Sequence, residues 1–217
     1  MRQLIPALLL ACLCLHAGAA ERELADYATL LKLTRLDRVY EFPPEQRNHL
    51  VIRANMKPRN AAIKPETVRL TVDGVRLPVS ADGDFELNAE PQWLKTNPVI
   101  YTSLTADEKS ALSFSARPLV PEGLSFSYAS LMVSVRQMNT MMRASAGAMR
   151  FFVPTFNGVE LQFAGAPAVE LRTRDGVRQL RPDAQSRIRI KLDETLMQSE
   201  ALIVMAARPL SADFLTE

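Results

Sequence analysis

The chain has 217 residues, of which 47% are apolar, 6% aromatic and 23% charged. This is an ordinary globular composition, with room for two small domains. A formal net charge of +2 gives no general reason to expect nucleic acid as a partner.

Residues 1–20, MRQLIPALLLACLCLHAGAA, read as a secretory signal peptide. Arg2 supplies the positive start. Leu4 to Leu15 form an apolar run too short to span a bilayer as a helix. Ala17, Gly18, Ala19 and Ala20 offer small residues for cleavage after Ala19 or Ala20. The alternative, lipidation at Cys12, would leave an apolar stub on the mature chain and is disfavoured. Cys12 and Cys14 both fall inside the signal, so the mature chain has no cysteine. Disulfides, thiol catalysis and thiolate metal sites are excluded with them. His16 also leaves, and His49 alone remains. Loss of Arg2 reduces 26 basic residues to 25 against 24 acidic ones, a net charge of +1. No later apolar run is long enough to cross a membrane. The expectation is a soluble periplasmic or secreted protein that does not span the membrane.

After the signal, residues 23–36 carry an amphipathic helical pattern with Leu24, Tyr27 and Leu31. A strand is expected at 49–56. Val68–Val72 and Val75–Val79 alternate about Asp73-Gly74, a strong hairpin signal. Further strands are expected at 84–88, 99–104 and 110–117. Pro118, Pro121 and Gly123 then punctuate the chain. Ser127 is a candidate N-cap, followed by Tyr128, Leu131, Met132, Val135, Met138 and Met142 at helical spacing. Gly147 is the expected stop. Asn157-Gly158, between Phe151-Phe152-Val153 and Val159-Glu160-Leu161, predicts a hairpin. Asp175-Gly176 predicts another, of the same design as Asp73-Gly74. The last strands are expected at 186–192 and 201–207.

Read against itself, the chain shows five ordered matches. Tyr27-Ala28-Thr29-Leu30-Leu31 resembles Tyr128-Ala129-Ser130-Leu131-Met132. Val68-x-Leu70 resembles Val169-x-Leu171, and Asp73-Gly74-Val75-Arg76 matches Asp175-Gly176-Val177-Arg178. Phe85-x-Leu87 pairs with Ile188-x-Ile190, and Ala116-Arg117-Pro118-Leu119 with Ala207-Arg208-Pro209-Leu210. The expected organisation is a signal at 1–20 and two β-rich repeats, 21–121 and 122–217. The fold class is mainly β (α+β), each copy having one N-terminal helix against an antiparallel sheet or sandwich.

Chemistry-bearing patterns are sparse. One histidine cannot build a zinc or copper site. Asp82-Gly83-Asp84 with Glu86 lacks EF-hand spacing, and a turn explains it. Met132, Met138 and Met142 on the apolar helix face read as core filling rather than Cu(I) ligands. There is no Gly-x-Ser-x-Gly elbow, no Ser-x-x-Lys in the mature chain and no Gly-rich phosphate loop. No cofactor and no catalytic residue are assigned.

Charge is more specific. Arg172 and Arg174 share a strand face by period-two alternation, and so do Arg187, Arg189 and Lys191 on another strand. Arg178 and Arg181 lie between them. The first-copy positions matching Arg187 and Arg189 are Asp84 and Glu86. The candidate binding residues are Arg172, Arg174, Arg178, Arg187, Arg189 and Lys191, or these are simply a solvated face. As a site they would meet an anion: the first copy's acidic strand, an acidic envelope protein, or an anionic lipid or glycan. The functional expectation is a non-catalytic periplasmic binding or protein-interaction module. The alternatives are an envelope hydrolase using carboxylates or a Ser/Lys pair, and a lipid-binding carrier.

Overall fold

Leu50, Ile52, Ala54 and Met56 alternate with Val51, Arg53, Asn55 and Lys57, so one face of residues 50–58 seeks a core and the other seeks water. In the computed structural model, which describes residues 21–87, 91–146 and 154–216, that segment is the nine-residue strand β2, Leu50–Pro58. The first half also contains β1 (Arg22–Asp26), α1 (Tyr27–Thr34), α2 (Leu36–Tyr40), β3 (Leu70–Val72), β4 (Val75–Leu77) and β5 (Asp84–Phe85). It ends with α3 (Pro91–Thr96), β6 (Val99–Thr102) and β7 (Ser110–Pro118). The second half contains β8 (Ser125–Ser127), α4 (Tyr128–Ala146), β9 (Phe156–Gln162), β10 (Val169–Thr173), β11 (Gly176–Leu180) and β12 (Arg187–Lys191). Then come α5 (Glu194–Met197), β13 (Leu202–Met205) and β14 (Ser211–Thr216).

All strand pairs are antiparallel, as expected for a mainly β chain with few helices. The first half forms sheets of order β1-β6-β3-β4 and β5-β2-β7. The second forms β8-β13-β10-β11 and β12-β9-β14, the same orders in corresponding elements. Details follow suit. Tyr27 and Tyr128 each open the first helix of their half, are fully buried, and donate their N–H groups to Pro98 O (2.9 Å) and Ala201 O (2.8 Å). The Ala116–Leu119 match does not correspond in this way. Its first member runs through the end of β7, whereas Ala207–Leu210 lies in the loop before β14.

Several local expectations need correction. The helix expected at 23–36 starts at Tyr27, because 22–26 pair with β6 as β1. Asp26 caps α1, its carboxylate accepting the Thr29 N–H at 2.8 Å. Arg35, at φ 64°, separates α1 from α2. Asn157-Gly158 makes no hairpin: both residues lie inside β9, with Gly158 opposite Lys191 on one side and Leu215 on the other. A Cβ on Gly158 would sit 2.3 Å from the Ile190 carbonyl oxygen, so close backbone approach, not a turn, selects this glycine. Asp73-Gly74 forms the expected tight turn with both residues at positive φ, 48° and 77°. The second hairpin turns one residue earlier, through Arg174-Asp175, and Gly176 opens β11 opposite Thr173. Ser127 does cap α4, accepting the Ser130 N–H at 3.1 Å. Gly147 and Phe151-Phe152-Val153 lie outside the described residues, as do residues 1–20, where a signal peptide is expected.

Two cores result. Tyr27, Leu30, Leu36, Met56, Leu70, Phe85 and Ile100 fill the first, and Leu131, Met132, Val135, Val159, Leu161, Val169 and Ile203 the second. The long helix α4 serves both. Its N-terminal turns pack into the second core, while Met138 and Met141, further along, are buried in the first. Phe156 and Phe214, with ring centroids 5.1 Å apart, pack against both. Among the described residues no helix is long and apolar enough to cross a membrane.

Candidate binding face

The inward positions of β2, β7, β9, β12 and β14 are apolar, so their outward positions project from two polar sheet faces. The faces are neighbours, because β7 and β14 contact each other at the seam between halves. From one end to the other, β5, β2, β7, β14, β9 and β12 present Asp84, Asn55, Ser113 with Arg117, Asp213, Glu160 and Arg189.

A five-residue turn holds each outer strand. In the first half the Ser80 N–H donates to Asp84 O (2.9 Å) and the Asp84 N–H to Ser80 Oγ (3.0 Å). In the second, the Asp183 N–H donates to Arg187 O (2.9 Å) and the Arg187 N–H to Asp183 Oδ1 (2.9 Å). The amide of Asn55 reaches Asp82 O at 2.9 Å, and the amide of Gln162 reaches Gln185 O at 2.9 Å. Gly83, at φ 86°, occupies the place that Ser186 occupies at φ 59°. Asp82-Gly83-Asp84 is therefore a structural turn, and no cluster of three or more His, Cys, Asp or Glu residues suited to a metal exists among the described residues.

Asp84 is nearly buried; Oδ1 accepts from Asn55 Nδ2 at 2.7 Å, and Oδ2 lies 3.5 Å from Arg117 Nη2. Arg117 also bonds Asp82 Oδ2 at 2.8 Å and reaches Asp213 of the second half at 3.7 Å. The Asp82 hydrogen bond, with the negative charges of Asp213 and Asp84, raises the Arg117 pKa above its ordinary value despite partial burial. Two depressions flank this stitch. The one over the first sheet, about 680 Å³, is lined by Asn55, Lys57, Asp84, Ser113 and Arg117, with Ile63 and Pro65 in its wall. The one over the second, about 650 Å³, is lined by Asn157, Glu160, Arg189, Lys191 and Leu215. Asp213 belongs to both. Asn157 Oδ1, in the second, is buried with no hydrogen-bond partner among the described residues.

The six basic residues expected from the sequence fall in two places. Arg187, Arg189 and Lys191 do share one face of β12, opposite buried Ile188 and Ile190. Among the described residues they form no ion pair with the first half's acidic strand. Glu160 on the neighbouring β9 takes Arg189 at 2.7 Å and Arg187 at 3.4 Å, and Asp183 takes Arg187 at 3.4 Å. The hydrogen bond that Arg189 donates to Glu160 raises the Arg189 pKa, and backbone N–H donation from Arg187 lowers that of Asp183. The second group belongs to the β10–β11 hairpin in another sheet. Arg172 lies on β10 against Glu170 (2.8 Å), Arg174 in the turn against Glu200 (3.2 Å), and Arg178 on β11. In the sequence Arg117 figures only in the Ala116–Leu119 match, with no chemical role, and Asp213 stands in no motif. His49 donates its backbone N–H to Gln137 Oε1 at 3.0 Å.

Residues 35–163 match the model of a family described as Protein of unknown function (DUF2987). The match crosses from α2 of the first half into β9 of the second, and it contains every lining residue of the first depression except Asp213. No curated protein and no solved structure gives a match.

Proposed function

The chain belongs to the DUF2987 family of proteins of unknown function, and we propose that it is an exported, non-catalytic binding module built from two copies of one α+β unit. Its contact surface is the polar face that the two halves share. The observation that carries this reading is Arg117, which ties Asp82 and Asp84 of one sheet to Asp213 of the other. That stitch makes two shallow depressions into one continuous surface, lined by cations, carboxylates, amides and hydroxyls. Such a surface suits an extended polar chain, peptide or glycan, better than a compact substrate. The carboxylates that a hydrolase would need are already engaged: Asp84 by Asn55 and Arg117, and Glu160 by Arg187 and Arg189. The polar lining also offers no continuous apolar groove for a lipid.

The test is site-specific photo-crosslinking in the native cell envelope. A photoreactive residue at exposed Ser113, on the face, should give a discrete adduct absent when the residue replaces exposed Lys32 on α1. Equal labelling from both positions, or none from Ser113, would remove the face as the binding surface.

A further inference from the structure

Proteins commonly bind peptides by strand addition to a free sheet edge, in an apolar or aromatic groove, or through free arginines. Among the described residues the shared polar face offers none of these. β2 pairs with β5 and β7, and β9 with β12 and β14, so both central strands turn their main-chain groups to neighbours. β7 and β14 close on each other at the seam. Phe114 and Phe214, the aromatic residues that reach the two depressions, pack against the cores. Arg117 and Arg189 are already held by carboxylates. A ligand lying on this face therefore meets side chains alone.

Those side chains are close to charge balance. In the first depression Asp82, Asp84 and Asp213 stand against Lys57 and Arg117, and all three carboxylates hold Arg117. In the second, Glu160 and Asp213 stand against Arg189 and Lys191. Neither carries the excess of one sign that captures a polyanion or a polycation. What the first depression has to spare is neutral hydrogen-bonding capacity. Nearly buried Asn55 donates through Nδ2 to Asp82 O at 2.9 Å and Asp84 Oδ1 at 2.7 Å, which leaves Oδ1 as an acceptor. Among the described residues this oxygen has no donor, and the hydroxyls of Ser113 and Ser115 on adjoining β7 have no partner. Ile63 and Pro65 give the same depression an apolar wall.

We infer that the occupant of this face is a neutral glycan chain, with one sugar ring seated in the first depression. This deepens the binding-module reading and rests on it. Sugar hydroxyls both donate and accept, so they can give protons to Asn55 Oδ1 and exchange hydrogen bonds with the Ser113 and Ser115 hydroxyls. The C–H face of the ring covers Ile63 and Pro65, removing apolar surface from water. The chain then passes Asp213, which both depressions share, and its next hydroxyls meet Lys191 and Thr216 in the second. A ligand without net charge leaves the Arg117 stitch intact.

The experiment titrates the isotope-labelled mature chain with chitohexaose, maltohexaose and the neutral hexapeptide Ser-Gly-Ser-Gly-Ser-Gly, read by NMR amide shifts. At least one saccharide should shift the Asn55 and Ser113 resonances saturably, and the peptide should not. Ser113→Val with Ser115→Val, which suits a strand, should weaken that binding about tenfold or more. Lys32→Ala on α1 should leave it unchanged. Binding of neither saccharide, equal binding of the peptide, shifts away from β2 and β7, or undiminished binding by the valine pair would overturn the inference. A protein adduct from position 113 with no saccharide binding removes the glycan and leaves the face as the binding surface. No adduct and no saccharide binding removes both.

Discussion

Arg189 stands 2.7 Å from Glu160 across the β12–β9 ladder. At the corresponding place in the first half Glu86 stands 3.1 Å from Arg53, with the charges exchanged. The inversion of charge between strands at corresponding places in the two halves is thus matched by inversion on the neighbouring strand, and each half keeps a complementary pair.

Reversing one member should cost more than reversing both. Arg189→Glu places a carboxylate against Glu160 and should destabilise by about 1 kcal/mol, a modest figure because Arg189 is half exposed. Adding Glu160→Arg should recover part of that loss. Urea midpoints of the two single variants and the double variant measure the coupling. Strict additivity would mean that the pair contributes nothing to stability.

Two glycines should resist substitution for different reasons. Gly83→Ala forces a side chain onto φ 86° and puts its Cβ 2.2 Å from the Met56 carbonyl oxygen. Gly158→Ala has no φ penalty but meets the Ile190 carbonyl oxygen at 2.3 Å. Each should cost about 2 kcal/mol or more. Ser186→Gly, at the place matching Gly83, should change stability by less than about 0.5 kcal/mol, since relief of the left-handed strain offsets the added chain entropy. Thermal melts of the three variants check the ranking.

Tyr128 should confer a stability that fails in alkali. Burial raises its pKa above 10.0, opposed by the Asp193 N–H that donates to its oxygen. A raised pKa means that the fold prefers the protonated phenol. Its contribution is complete below pH 10.0 and is lost as pH climbs through the folded value. Tyr40, also raised by burial, acts in the same direction. Tyr128→Phe should cost about 1–2 kcal/mol at neutral pH by stranding Lys191 O and the Asp193 N–H. It should also flatten part of the decline above pH 10.0. Urea midpoints between neutral and strongly alkaline pH test this. An unchanged slope would remove Tyr128 as a contributor.

Arg117→Met should leave the nearly buried Asp84 without its cation and loosen the seam. The expected loss is about 1–3 kcal/mol, as for a hydrogen bond to a charged group. Amide exchange should accelerate in β14 more than in β13. Uniform acceleration across both strands would mean that Arg117 supports global stability rather than the seam.

Much of the fold was legible because alternation is a local signal. β2, β7 and β12 lie where apolar and polar residues alternate, β13 is a short continuous apolar run, and in Tyr128–Met138 apolar residues recur at helical spacing. β8 has three residues, too few to display a period, and β1 runs straight into α1, where its Leu24 also fits the helical pattern. Asn157-Gly158 misleads because a glycine chosen for close strand contact looks like one chosen for a turn. The candidate site was less legible. Arg187 and Arg189 form a charged row in the sequence, yet Glu160, about thirty positions earlier, neutralises them only through strand pairing. Arg117 and Asp213 meet through tertiary packing of separate sheets, which no spacing rule encodes.

Met138 and Met141, buried in the first core, come from a helix that follows the junction. The N-terminal half therefore cannot close its interior when its own last strand is synthesised. A polypeptide stopped at residue 121 should stay partly open and prone to aggregation, whereas one extended through residue 146 carries the missing plug. On a route through a translocation pore, the leading half would have to wait for some two dozen further residues to emerge. The interval between the end of β7 and the arrival of Met141 is then the period in which a chaperone would be needed.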